Sequence, residues 1–127
     1  FYFCVPNTRY FSELSISKVL GKPYENWFRK ISRVHHADEP DVWEQRLERA
    51  GFKLERWWHY FSPSAMRVLE WGHYFGLPSV VARVLTGKWI ISRTKWNLSI
   101  TESYVKKYAS PASIENGTFT FYIARKK

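Results

Sequence analysis

The chain holds one cysteine, Cys4, so no disulfide can form within it; that usage fits a reducing cytoplasmic compartment where a lone thiol packs. It lacks any run of about 18–20 uncharged apolar residues, which excludes a membrane-spanning helix. The best candidate, residues 77–85, is short and carries Arg83. The opening residues have neither a basic leader nor Met and do not read as a signal peptide. The six glycines, at 21, 51, 72, 76, 87 and 117, contain no Gly-x-Gly pair, so the turn that lets backbone approach a dinucleotide phosphate is missing. Gly-x-Ser-x-Gly, a phosphate-binding loop and His-Glu-x-x-His are absent too, as are zinc-finger and RNA-binding signatures. Acids are scarce, 11 against 20 Lys and Arg.

What is present is aromatic and basic. Trp, Tyr and Phe make up 19% of 127 residues, enough for a broad core or for a surface awaiting a partner. The net charge of +9 is unevenly spread. Residues 8–34 set six bases against two acids, and 62–108 set seven against two, while 38–56 hold six acids and four bases. A basic balance of this kind favours anionic partners, or it marks a solvated face.

Residues 1–5, Phe-Tyr-Phe-Cys-Val, are continuously apolar and predict a strand buried on both faces. Such a strand needs neighbours at its edges, and the element is expected to begin upstream of Phe1. Residues 9–20 alternate at helical spacing up to Gly21-Lys22-Pro23, and 24–32 form a short helix or turn. Asp38 or Glu39 as cap, Pro40 in the first turn and Gly51 as stop predict a helix carrying Trp43, Leu47 and Ala50 on one face. Residues 52–61 predict a strand, 64–74 a helix capped from Ser62-Pro63-Ser64, and a second short helix ends near Leu85. Residues 88–98 give no assignment, 101–108 are helical, and 118–124 form a last strand after the Asn116-Gly117 turn. The chain is thus α/β, without internal repeats.

Three stretches carry a family resemblance. Phe1-Tyr2-Phe3-Cys4-Val5-Pro6-Asn7 resembles the fifth strand of class I S-adenosylmethionine-dependent methyltransferases. Trp43-Glu44-Gln45-Arg46-Leu47-Glu48-Arg49-Ala50-Gly51-Phe52 resembles their last helix and its step into the sixth strand. Phe119-Thr120-Phe121-Tyr122-Ile123-Ala124-Arg125-Lys126 resembles their antiparallel seventh strand. These stretches cover about a fifth of the chain, and the type 11 group is the most similar. The resemblance implies a Rossmann-like sheet with strand order five-seven-six, helical inserts at about 8–37 and 62–117, and a small or lipid-like substrate. It also implies S-adenosylmethionine as cofactor. Because the cofactor motif is absent, residues 1–127 are expected to be the inactive C-terminal, substrate-side portion, with the N-terminal half of the same protein as partner.

Candidate site residues follow. His35 and His36, in a polar loop beside Asp38 and Glu39, are of the residue type that suits a general base; the alternative is a surface or capping pair. A metal is disfavoured because no third ligand stands at the needed spacing. Asn7 lies at the carboxyl end of the first strand, where α/β sheets place ligands, or simply forms a turn. His59 and Tyr60 end the second strand, with Trp57 and Trp58 just before them. Tyr60, Trp71 and Tyr74 are expected to line the substrate wall. Trp71, His73, Tyr74, Phe75, Trp89 and Trp96 mix with Arg67, Arg83, Lys88, Arg93 and Lys95, which suits a lid over an apolar substrate, a face on an anionic membrane, or burial against the rest of the protein. The rival reading is a stand-alone basic aromatic module that binds anionic lipid or nucleic acid without catalysis; nucleic acid lacks a supporting signature. The exposed sheet edge also makes a homodimer an expectation.

Overall fold

Three strands form one sheet: β1 (Tyr2–Pro6), β2 (Phe52–Tyr60) and β3 (Phe119–Lys126), in the order β1-β3-β2. The computed structural model describes every residue except 76, 89–94, 109 and 111, and within its helices the side chains of 75, 77, 78, 95–98, 100 and 101 are also left out. The sequence expectations for Phe75, Trp89, Arg93, Lys95 and Trp96 therefore lie outside the described side chains. β3 runs antiparallel to both neighbours, so β1 and β2 run parallel on either side of it. The architecture is mixed α/β, and the order and senses of its three strands are those the sequence led us to expect.

Register explains which residues share a face. Phe3 lies opposite Tyr122 with rings stacked 4.8 Å apart, and Trp43 packs 5.4 Å from Phe3 and 6.2 Å from Tyr122. Trp43 belongs to α4 (Pro40–Arg49), which covers this side and buries Leu47. Pro40 opens α4 with its φ already set, Asp41 sits in the first turn, and Gly51 stops it at φ +82°. Neither acid caps through its side chain: Glu39 hydrogen-bonds to Thr8, and Asp38 accepts from Arg46 at 2.7 Å. Under α4 the Trp43 indole N–H and the Tyr122 hydroxyl are buried with no partner among the described residues. Burial, foremost, pushes that hydroxyl up to about 12.

The expectation that residues 1–5 are buried on both faces is corrected. Tyr2 is 71% exposed and Cys4 is exposed, because alternate strand residues point to opposite faces and α4 covers only one. The open face continues across Phe121 onto Trp58, whose ring stacks 4.7 Å away, with Arg56 5.3 Å above Trp58. A bulge at Glu55 interrupts the β2–β3 ladder. Phe1 and Ala124 exchange both backbone bonds, at 2.8 and 2.9 Å, which turns the amides of Tyr2 and Cys4 outward. No strand among the described residues pairs with that edge.

The helical part has its own core. α1 (Arg9–Ser12), α2 (Ser17–Leu20) and α3 (Lys22–Ser32) bring Tyr10, Phe11, Leu14, Tyr24 and Phe28 against Met66 of α5 (Pro63–Phe75). The single helix expected over 9–20 is two, and the break has a cause. Buried Glu70 of α5 takes the backbone N–H groups of Ser15 and Ile16 at 2.6 and 3.2 Å, which competes with helical bonding there. Ser62 caps α5, its hydroxyl accepting Ala65 N–H at 3.2 Å. α6 (Leu77–Thr86) packs against α5, and α7 (Lys95–Lys106) starts earlier than expected. No helix among the described residues is long and apolar enough to cross a membrane.

Candidate functional site

Because β1 and β2 are parallel, their carboxyl ends open on the same end of the sheet, with the start of β3 between them. Asn7 leaves β1 there and is completely buried. Its Oδ1 accepts Arg9 N–H at 3.0 Å, which fixes the amide orientation. Its Nδ2 faces the Gly117 carbonyl at 2.9 Å, His59 Nδ1 at 3.2 Å and Thr120 Oγ1 at 3.3 Å. Thr120 Oγ1 in turn lies 2.8 Å from His59 Nδ1. Gly117 makes this closeness possible, since a Cβ there would meet the Tyr60 carbonyl oxygen at 2.5 Å.

Proton accounting narrows the choices at the imidazole. One Asn7 amide hydrogen goes to Gly117, and the other goes to either Thr120 or His59. If His59 receives it, Nδ1 accepts and the ring hydrogen sits on Nε2; if Thr120 receives it, the Thr120 oxygen keeps a second lone pair, so Nδ1 either accepts the hydroxyl hydrogen or donates to that oxygen. Burial, and secondarily the Arg9 charge, hold His59 below its usual 6.5, against a smaller opposing pull from Glu39. His59 is thus neutral at neutral pH, and its Nε2, with no hydrogen-bond partner among the described residues, is a donor in the tautomer whose Nδ1 accepts. Glu39, bonded to Thr8, and Arg9, whose guanidinium donates to the Glu115 carbonyl at 2.8 Å, form a charged rim. The arrangement suits hydrogen-bond donation to a neutral or anionic oxygen.

The sequence candidates fall in separate places. His35 and His36 are exposed in the segment before α4; His36 Nδ1 lies 3.6 Å from Asp38, and neither ring bonds to the Asn7–His59 group. Tyr60 projects to the sheet's other face, where burial and then the Cys4 thiol raise its hydroxyl above the ordinary value. Trp71 and Tyr74 meet on α5 at 5.7 Å, and the Tyr74 hydroxyl lies 2.7 Å from that of Tyr24, which donates to Glu70 at 2.6 Å. Tyr74 packs against the helical core, Trp71 is exposed on its surface, and neither is joined to the sheet-end cluster. His59 was singled out at the end of its strand as a pocket residue, but its link to Asn7 was missed, as were the roles of Thr120, Gly117 and Glu39. Their signal was positional: His59 ends a strand parallel to the one that Asn7 ends, and Asn116-Gly117 turns into the strand between.

An apolar cavity of about 190 Å³ adjoins Phe61, the residue after β2, and is walled by Ala65, Val68, Leu69, Val105 and Tyr108. Phe61 stands at φ +66°, and its carbonyl accepts both the N–H and the hydroxyl of Thr118 at 3.0 Å, tying the cavity wall to the start of β3.

A cofactor cradle of the implied kind does not fit the described residues. Gly21, Gly51 and Gly87 have open space but lie at helix boundaries, and Gly117 is packed onto Tyr60. No three His, Cys, Asp or Glu side chains converge among the described residues. No family model, curated protein or solved structure matches this chain.

Proposed function

We propose that residues 1–127 form the substrate-side, sheet-completing part of an S-adenosylmethionine-dependent methyltransferase acting on a small or lipid-like molecule. The observation that carries the reading is the β1-β3-β2 order with β3 reversed, opening a polar cluster at the carboxyl ends of β1 and β2. The unpaired edge of β1 and the uncovered Tyr2–Cys4 face support it, since both are surfaces a wider sheet and its helices would occupy. On this reading the strands that hold the cofactor belong to chain outside these residues.

What these residues contribute is placement. His59 Nε2, in the tautomer whose Nδ1 accepts, holds a substrate oxygen, Asn7 and Thr120 hold the ring in place, and the cavity beside Phe61 takes an apolar group. His35 and His36 remain proposed as bases for a substrate whose acidic group reaches the loop before α4. Calorimetry tests the reading: the full-length protein should bind S-adenosylmethionine, and residues 1–127 alone should not. Binding by the short chain, or none by the full-length protein, overturns it.

One observation favours the rival reading, a module that binds anionic lipid or nucleic acid: several apolar side chains of α6 lie in solvent beside basic residues. Salt-sensitive binding without any methyl transfer would select it.

A further inference from the structure

α6 is the element whose surroundings fit its sequence least. Val80, Val81, Val84 and Leu85 fall within an arc of about 140° on the helix, the kind of stripe that normally faces a core. Here that stripe faces outward: the four are 44%, 57%, 79% and 78% exposed. The ten residues span about 15 Å, too short to cross a bilayer and right for lying in its surface.

Charge names the occupant. From Trp71 to Thr101 the chain contains no Asp or Glu, while Arg83, Lys88, Arg93 and Lys95 supply four positive charges; Arg83 and Lys88 flank the stripe itself. An apolar stripe bordered by cations, in a segment free of acids, complements anionic headgroups over acyl chains. We infer that α6 is a docking face for an anionic membrane surface. The inference stands apart from the methyltransferase reading, because vesicle binding and methyl transfer are measured independently.

The intact protein should co-sediment with vesicles of phosphatidylcholine and phosphatidylserine but not with phosphatidylcholine alone, and raised salt should weaken the association. Val84→Asp together with Leu85→Asp should lower partitioning by about tenfold or more, since both apolar contact and charge attraction are lost. Both side chains are solvated, so the thermal melt should stay in place. Lys88→Glu, which touches no apolar contact, should selectively reduce the preference for phosphatidylserine. Absence of binding by the wild type overturns the inference, as does unchanged binding by the double variant. So does a double variant that turns a dimer into a monomer, which would make a second copy the occupant, or tighter binding to an oligonucleotide than to vesicles.

Discussion

The sheet with α4 and the helical block of α1–α3 and α5 are both rich in aromatic side chains, yet they finish their interiors differently. In the sheet, Phe3, Trp43 and Tyr122 pack one side while Tyr2, Cys4, Trp58 and Phe121 line a side with little covering. Its order comes from backbone ladders, and it tolerates two orphaned polar atoms beneath α4. The helical block encloses Leu14, Phe28 and Met66 completely, but its short helices lack length to hold themselves. One carboxylate, Glu70, ties them down by accepting two backbone amides and the Tyr24 hydroxyl. A ladder spreads its dependence over many bonds; a pin concentrates it in one residue.

The sharpest way to break that contrast is at the pin. Glu70→Ala leaves the part-buried amides of Ser15 and Ile16 without that acceptor and the Tyr24 hydroxyl with Tyr74 alone, and should cost about 2–4 kcal/mol, read by urea unfolding. Glu70→Gln keeps one acceptor and should recover part of it. In the sheet, the most damaging change should be Gly117→Ala, at about 2–3 kcal/mol, since the new Cβ must displace Tyr60 backbone. Equal losses at both sites would mean that the sheet end is pinned just as locally. Asn7→Ala should cost about 2 kcal/mol and let the His59 titration move toward 6.5, followed by NMR of the imidazole.

The pH dependence follows from the same site. His59 is depressed in the folded state, so the unfolded chain binds the extra proton first as pH falls. Its contribution is therefore complete above about 6.5 and shrinks as pH drops through the folded value. His59→Gln should flatten that part of the stability profile. The smallest effect is expected beneath α4: Tyr122→Phe removes a hydroxyl that has no partner among the described residues and should change stability by less than about 1 kcal/mol, toward gain.

Legibility tracked how local each determinant is. α4 was readable because Pro40 and Gly51 mark its ends within the element, and β3 because Thr118 to Ala124 alternate with strong strand formers. The break between α1 and α2 was not, since its cause lies 54 residues away in Glu70. The apolar run 1–5 correctly gave a strand but could not say which face would find a partner. At the site, Asn7 stood out by position, whereas a buried Asn that orients a histidine from another strand has no linear pattern to betray it.

Cys4 turns the uncovered sheet face into something that can be timed. It is the chain's only thiol, it is exposed, and it stands beside Tyr60 between Tyr2 and Phe121 of that face. The alkylation rate of native protein therefore reports occupancy of one surface without mutagenesis or added labels. Modification slower in the native protein than in the unfolded chain would footprint a covering layer; equal rates would show a face permanently in water.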